Sequence, residues 1–315
     1  MTTAQISKAE KRPCEMCGKI SSIRCVEAPT FYCSQLHFDS DWNGIRRLVF
    51  EETAQIRKGL PPTATSKDER RIQETEFAKI LEKVKLIAQT EAKRNLIGQR
   101  FDLAVAAGLE ALKMTQQLHL NESEIATCHL ILAEANLGQG RLEAAEEFLN
   151  LAAANISERS GLTAQLQRSF GFLQRSQGKI SEALRSFALY TYHVSLEFGP
   201  ESYQSALGYL YMAETFTANE SDKSRRMVAQ ALELYMNAFF WGNTTLEGVA
   251  KDEVIDAVMK IKAMVSSNKD QTADCEALIG LLTGDKEHAD LAKLLYAESN
   301  GLKDKLSRIN ELVST

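Results

Sequence analysis

Residues 130–152 read LILAEANLGQGRLEAAEEFLNLA. Ala, Leu and Glu dominate both halves, and these residues lose little on entering a helix. Gly138 and Gly140 punctuate the middle, and a small residue sits well inside each half, at Ala133 and Ala145. The stretch predicts two helices joined by a tight glycine turn, close enough for small side chains to touch. Three more stretches repeat the pattern: 92–112 with Ala92, Gly98, Ala104 and Ala111; 169–190 with Gly171, Gly178, Ala183 and Phe187; and 211–232 with Ala213, Phe216 and Asn219-Glu220 at the turn. A fifth, weaker one at 279–296 carries Gly284 and Ala289.

The turns fall near 98, 140, 178 and 220, a spacing of about 40 residues. The pattern resembles the tetratricopeptide repeat, whose usual period is about 34; the longer period predicts longer helices or longer joints. Such pairs bury their faces on their neighbours and build a curved α-solenoid whose concave wall binds proteins or peptides. A compact helical bundle is the competing reading. Ala133, Gly171, Ala183, Leu149, Phe187 and Phe216 then read as core. The ninth position of successive first helices falls on Lys93, Glu134, Phe172 and Glu214; with Arg175 these are the candidate partner-binding surface. Chaperone-tail receptors of the repeat family carry asparagine at that position, so the resemblance does not extend to them.

Composition agrees with a helical body. The 315 residues include only 17 Gly and 5 Pro, with 25% charged and 44% hydrophobic residues. Net charge is −5. Residues 1–50 hold seven Lys/Arg against five Asp/Glu, or +2, which leaves −7 for the remainder. Neither value is the dense basic patch that phosphate binding needs. The N-terminal residues lack the apolar stretch of a secretory signal, and no apolar run is long enough to cross a membrane. A reducing intracellular compartment is expected.

Four of the six cysteines crowd into the first 33 residues, which reads as metal rather than disulfide in such a compartment. Cys14 and Cys17 form a C-x2-C knuckle, and Cys33 and His37 a second pair at C-x3-H spacing. Together they make the Cys3His set of a closed, structural, tetrahedral zinc site. An ion held this way contributes about 10–16 kcal/mol of apparent binding free energy. With Tyr32-Cys33 and the Asp41-Trp42 step, residues 13–50 resemble the MYND finger. That family has two zinc sites in cross-brace order. Here Cys25 lacks its partner, Ala28 standing at that position, and the fourth pair would fall on Ile45 or Arg46 and Val49 or Phe50, none of them a ligand. Ile45, Leu48, Val49 and Phe50 are apolar and are expected to fill the second lobe by packing.

The expected organisation is a MYND-type zinc finger at 12–50, a linker at 51–74 marked by Pro61-Pro62, and a helical repeat domain of about five pairs at 75–315. No phosphate loop, nucleophile elbow or H-E-x-x-H occurs, and His119, His129, His193 and His288 read as surface or capped residues. No enzyme is expected. The finger-then-repeat order resembles a family of ciliary and flagellar proteins. That resemblance implies an axonemal, non-enzymatic scaffold tethering inner-arm dynein, with a second repeat protein, tetratricopeptide repeat protein 29-like, as partner. A soluble cytoplasmic dynein-arm assembly factor is the alternative. The site reading predicts one zinc per chain, which metal analysis of purified protein checks; a value of two contradicts it.

Overall fold

A computed structural model of the chain describes residues 6–8, 11–26, 30–58, 66–119, 121–156, 161–216, 220–242, 244–299 and 303–314. The chain divides into two compact units, Met1–Ser157 and Glu158–Thr315. The first opens with a small antiparallel sheet, β1 (Ile6–Lys8), β2 (Ile23–Cys25) and β3 (Phe31–Tyr32), in the order β1-β2-β3. Helix α1 (Gln35–Asp41) runs into a π-helical turn, Trp42–Arg46, and α2 spans Phe50–Lys58. Two hairpins complete the unit: α3 (Lys67–Ile97) with α4 (Phe101–Gln117), and α5 (Glu122–Gly138) with α6 (Leu142–Ala154).

The second unit contains helices and no strand among its described residues. It pairs α7 (Leu162–Ser176) with α8 (Ile180–Phe198), α9 (Ala206–Thr215) with α10 (Ser221–Tyr235), and α12 (Lys269–Thr283) with α13 (Lys286–Glu298). Helix α11 (Gly248–Met264) packs on α12, and α14 (Lys303–Ser314) packs on α13. The five expected pairs thus form as helical hairpins in tandem within their units. The fourth turn, 217–219, lies outside the described residues.

Three of the hairpins share one turn geometry. Arg100 N–H donates to Asn95 O at 2.8 Å, Arg141 N–H to Asn136 O at 2.9 Å, and Lys179 N–H to Gln174 O at 2.9 Å. Each second helix then begins directly after that basic residue with no side-chain cap. The residue before it is left-handed: Gly140 at φ 72°, Gly178 at φ 75°, but Gln99 at φ 55° in the first hairpin. Gly98, expected to make that turn, sits one position early at φ −74°. The crossings close because small residues meet there: Ala92, Ala104, Ala111, Ala133, Ala145, Ala152 and Ala183 are fully buried, as are Leu149 and Phe187. Phe216 is half-buried.

Residues 51–74, read as a linker, are largely helical: α2 occupies them to Lys58, and α3 starts at Lys67 behind a Ser66–Glu69 capping box. Pro61-Pro62 lie outside the described residues. The stretch looks like a loop because α2 is polar. Yet its Glu51 and Glu52 sit in the first turn and Arg57 and Lys58 in the last, the arrangement a helix dipole favours. The compact division also falls at Ser157, with the finger grouped with the first two hairpins.

Gln99→Gly replaces a strained left-handed side chain with the residue its two counterparts use. The change is expected to stabilise the protein by about 0.5–1 kcal/mol, the left-handed penalty less the entropy glycine loses on folding. Urea unfolding measures it; a loss of stability contradicts the shared-turn geometry.

Candidate metal centre

The knuckle is built by backbone hydrogen bonds. Cys14 N–H donates to Lys19 O at 2.7 Å, and Gly18 N–H returns to Cys14 O at 2.9 Å with Gly18 at φ 70°. Cys33 follows β3, and Ser34 caps α1 by accepting from His37 N–H at 3.3 Å. That cap fixes His37 in the first turn of α1, with Cys33 just before the cap. The four donor atoms of Cys14, Cys17, Cys33 and His37 lie within 4.8 Å of one another. Cys14 Sγ is 3.6 Å from His37 Nδ1, Cys17 Sγ is 3.6 Å from Cys33 Sγ, and Cys33 Sγ is 3.2 Å from His37 Nδ1.

Bonds of about 2.3 Å to sulfur and 2.0–2.1 Å to nitrogen set tetrahedral ligand edges near 3.5–3.8 Å. Two of the three distances fall in that range and the third is slightly shorter, so the donor set fits a four-coordinate ion. It is the one such group among the described residues. An ion held by all four donors would have its tetrahedron filled by the protein. Cys25 stands apart, fully buried in an apolar cluster with Cys14, Tyr32 and Phe38.

The lobe without ligands packs on the helices instead. Ile45 and Val49 are fully buried with Val84 and Ala88 of α3 and Ala107 and Ala111 of α4. Trp42 stacks on Phe38 at 5.9 Å and meets Phe50 edge-on at 6.2 Å. Leu48, expected to share in this packing, instead stays exposed. Gly44 lets the π turn press against α4: a Cβ there would lie 2.8 Å from Leu103 O and 3.1 Å from Ala106 Cβ.

A buried ionic cluster, not apparent in the sequence, locks this contact. Arg46 is 1% exposed. It donates to Asp41 at 3.0 and 3.3 Å, to Glu110 of α4 at 3.1 and 3.0 Å, and to Thr53 of α2 at 3.2 Å. The Tyr32 hydroxyl donates to Asp41 in turn. Burial alone would raise the pKa of Glu110, but the facing guanidinium outweighs it and holds the carboxyl below its ordinary value. Burial, reinforced by the Asp41 charge, pushes the Tyr32 phenol well up. At the rim, Glu15 pairs with Arg57 at 2.6 Å and Lys113 at 3.6 Å.

The candidate partner-binding residues fall in both units. In the second, Arg175 of α7 pairs with Glu214 of α9 at 3.0 Å and lies 5.3 Å from the Phe172 ring centroid. Phe172 is half-buried and meets Phe187 and Tyr211 edge-on at 5.4 and 4.9 Å. These three residues therefore form one cluster. In the first unit Lys93 is exposed on α3 and Glu134 is half-buried on α5. His129, read as surface or capped, is 8% exposed beside Phe148, with Nδ1 unpartnered and its pKa lowered by burial. No helix among the described residues is long and apolar enough to cross a membrane. No family model matches the chain.

Breaking a buried ion cluster by removing one partner typically costs about 3–5 kcal/mol. Arg46→Met is expected to lose that much in urea unfolding. Adding Glu110→Gln to it should recover part of the loss, because a neutral amide no longer leaves a buried charge unpaired. A loss below about 1 kcal/mol, the worth of an exposed pair, contradicts the clamp.

Proposed function

We propose that the chain is a non-enzymatic axonemal scaffold that docks or tethers inner-arm dynein through its helical hairpins and so supports ciliary and flagellar motility. The observation that carries this reading is the tandem of helical hairpins joined to a metal-stapled finger. Hairpins stacked in series leave one helix of each pair free to line a wall, the arrangement of tetratricopeptide solenoids that bind proteins. Three thiolates and an imidazole in a closed tetrahedron favour Zn²⁺. The ion stabilises the finger, and no reaction is assigned to it.

The axonemal assignment rests on sequence resemblance to zinc finger MYND domain-containing protein 12. That resemblance is carried by His37 in place of the usual cysteine, by the Asp41-Trp42 step and by residues 130–149. Its partners, inner-arm dynein and a tetratricopeptide repeat protein 29-like subunit, are carried over with it. Phe172, Arg175 and Glu214 are the preferred contact surface, because an arginine held over an aromatic ring presents its donors in a fixed plane.

The test is localisation with extraction. Tagged protein in flagellated cells is expected to stay on axonemes after detergent and to leave, as salt is raised, together with an inner-arm dynein. Protein that washes out with detergent or remains in the cell body overturns the scaffold reading in favour of a cytoplasmic dynein-arm assembly factor.

A further inference from the structure

Two arginines of the finger reach one aromatic ring. Arg24 lies in the middle of β2, directly opposite Phe31 of β3, and its guanidinium is 6.0 Å from the centroid of that ring. Arg12 reaches the same ring from the segment before the knuckle, 5.5 Å from the centroid. Its backbone is fixed there, the carbonyl accepting from Ser21 N–H at 2.8 Å. Both arginines are exposed and Phe31 is half-buried.

The contrast with neighbouring arginines is informative. Arg46 is saturated by Asp41 and Glu110, and Arg57 holds Glu15. Glu15 N–H donates to Phe31 O at 2.9 Å, yet its carboxylate is taken by Arg57 and Lys113. Among the described residues no ion pair reaches Arg12 or Arg24. Stacking on Phe31 restrains each guanidinium while leaving its edge donors free. Lys11 and Lys19, which flank the knuckle in sequence, are exposed, as are Ile20 and Val26. Arginine with aromatic and aliphatic neighbours is the composition of an interface centre.

We propose that the Arg12–Phe31–Arg24 face of the finger is a docking surface for an extended, glutamate- or aspartate-rich segment of a partner protein. Planar guanidinium forks match carboxylates in bidentate geometry. The rest of the chain is acidic, −7 against +2 for residues 1–50, so an acidic segment is repelled elsewhere and directed to the finger. A nucleic acid fits less well, because phosphate binding draws on many cations at once and the patch offers few. This surface is separate from the hairpin wall and does not depend on the axonemal reading.

The test uses the full-length, metal-loaded chain and a fluorescently labelled deca-glutamate peptide, followed by anisotropy at rising salt. Binding that weakens with salt is expected. Arg12→Gln and Arg24→Gln should each weaken it roughly fivefold and the double variant by more than about tenfold, in line with loss of charged interface contacts. Metal content and circular dichroism, read on the same samples, should not change, since neither arginine supports the core. Absence of peptide binding by the native chain, or equal binding by the double variant, overturns the proposal. So does tighter binding of a single-stranded oligonucleotide through the same two arginines, which would make phosphate the ligand.

Discussion

The first unit depends on one buried cation. Arg46 lies between Asp41, at the end of the finger's helix, and Glu110, in the middle of α4. Its partners come from segments that meet only if the finger sits on the first hairpin. Five residues separate Asp41 from Arg46, a spacing that an α-helix would point to different sides. The π-helical turn corrects this. Its wider winding, seen in the Arg47 N–H to Trp42 O bond at 3.1 Å, brings residues five apart onto one face. A buried charge of this kind adds little net stability over an apolar substitute but penalises every arrangement that leaves it unpaired. Its effect is therefore on geometry: it fixes where the finger sits.

That geometry explains a finger with a single metal group. A small zinc module cannot bury enough surface to hold two lobes without help. Here Cys14, Cys17, Cys33 and His37 are placed to hold one lobe around an ion. The other lobe is held by Ile45 and Val49 in the core of α3 and α4. Gly44 is the contact point where any larger residue would meet the backbone of α4.

Much of this was legible locally. Small residues and glycines at repeating positions marked the hairpins, because close helix crossings and left-handed turns restrict residue type strongly. Two short cysteine and histidine spacings marked the metal centre for the same reason. What the sequence hid was long-range or chemically ordinary. Nothing near Glu110 distinguishes it from a solvent-facing glutamate, and its partner lies 64 residues earlier. Helix α2 passed for a linker because its face is polar and only Thr53 is buried. Gln99 in the left-handed position hid the true register of the first turn behind the adjacent Gly98. Of the surface residues singled out, Phe172, Arg175 and Glu214 came together because equivalent positions on neighbouring first helices face the same way.

The finger is an integral part of the first helical unit. Hydrogen exchange of the intact chain, with and without a metal chelator, tests it most directly. Metal removal is expected to expose the amides of the finger and, with them, those of α4 around Glu110 and of the facing part of α3. Faster exchange confined to residues up to Asp41, with α3 and α4 unchanged, would contradict it and make the finger an independent appendage.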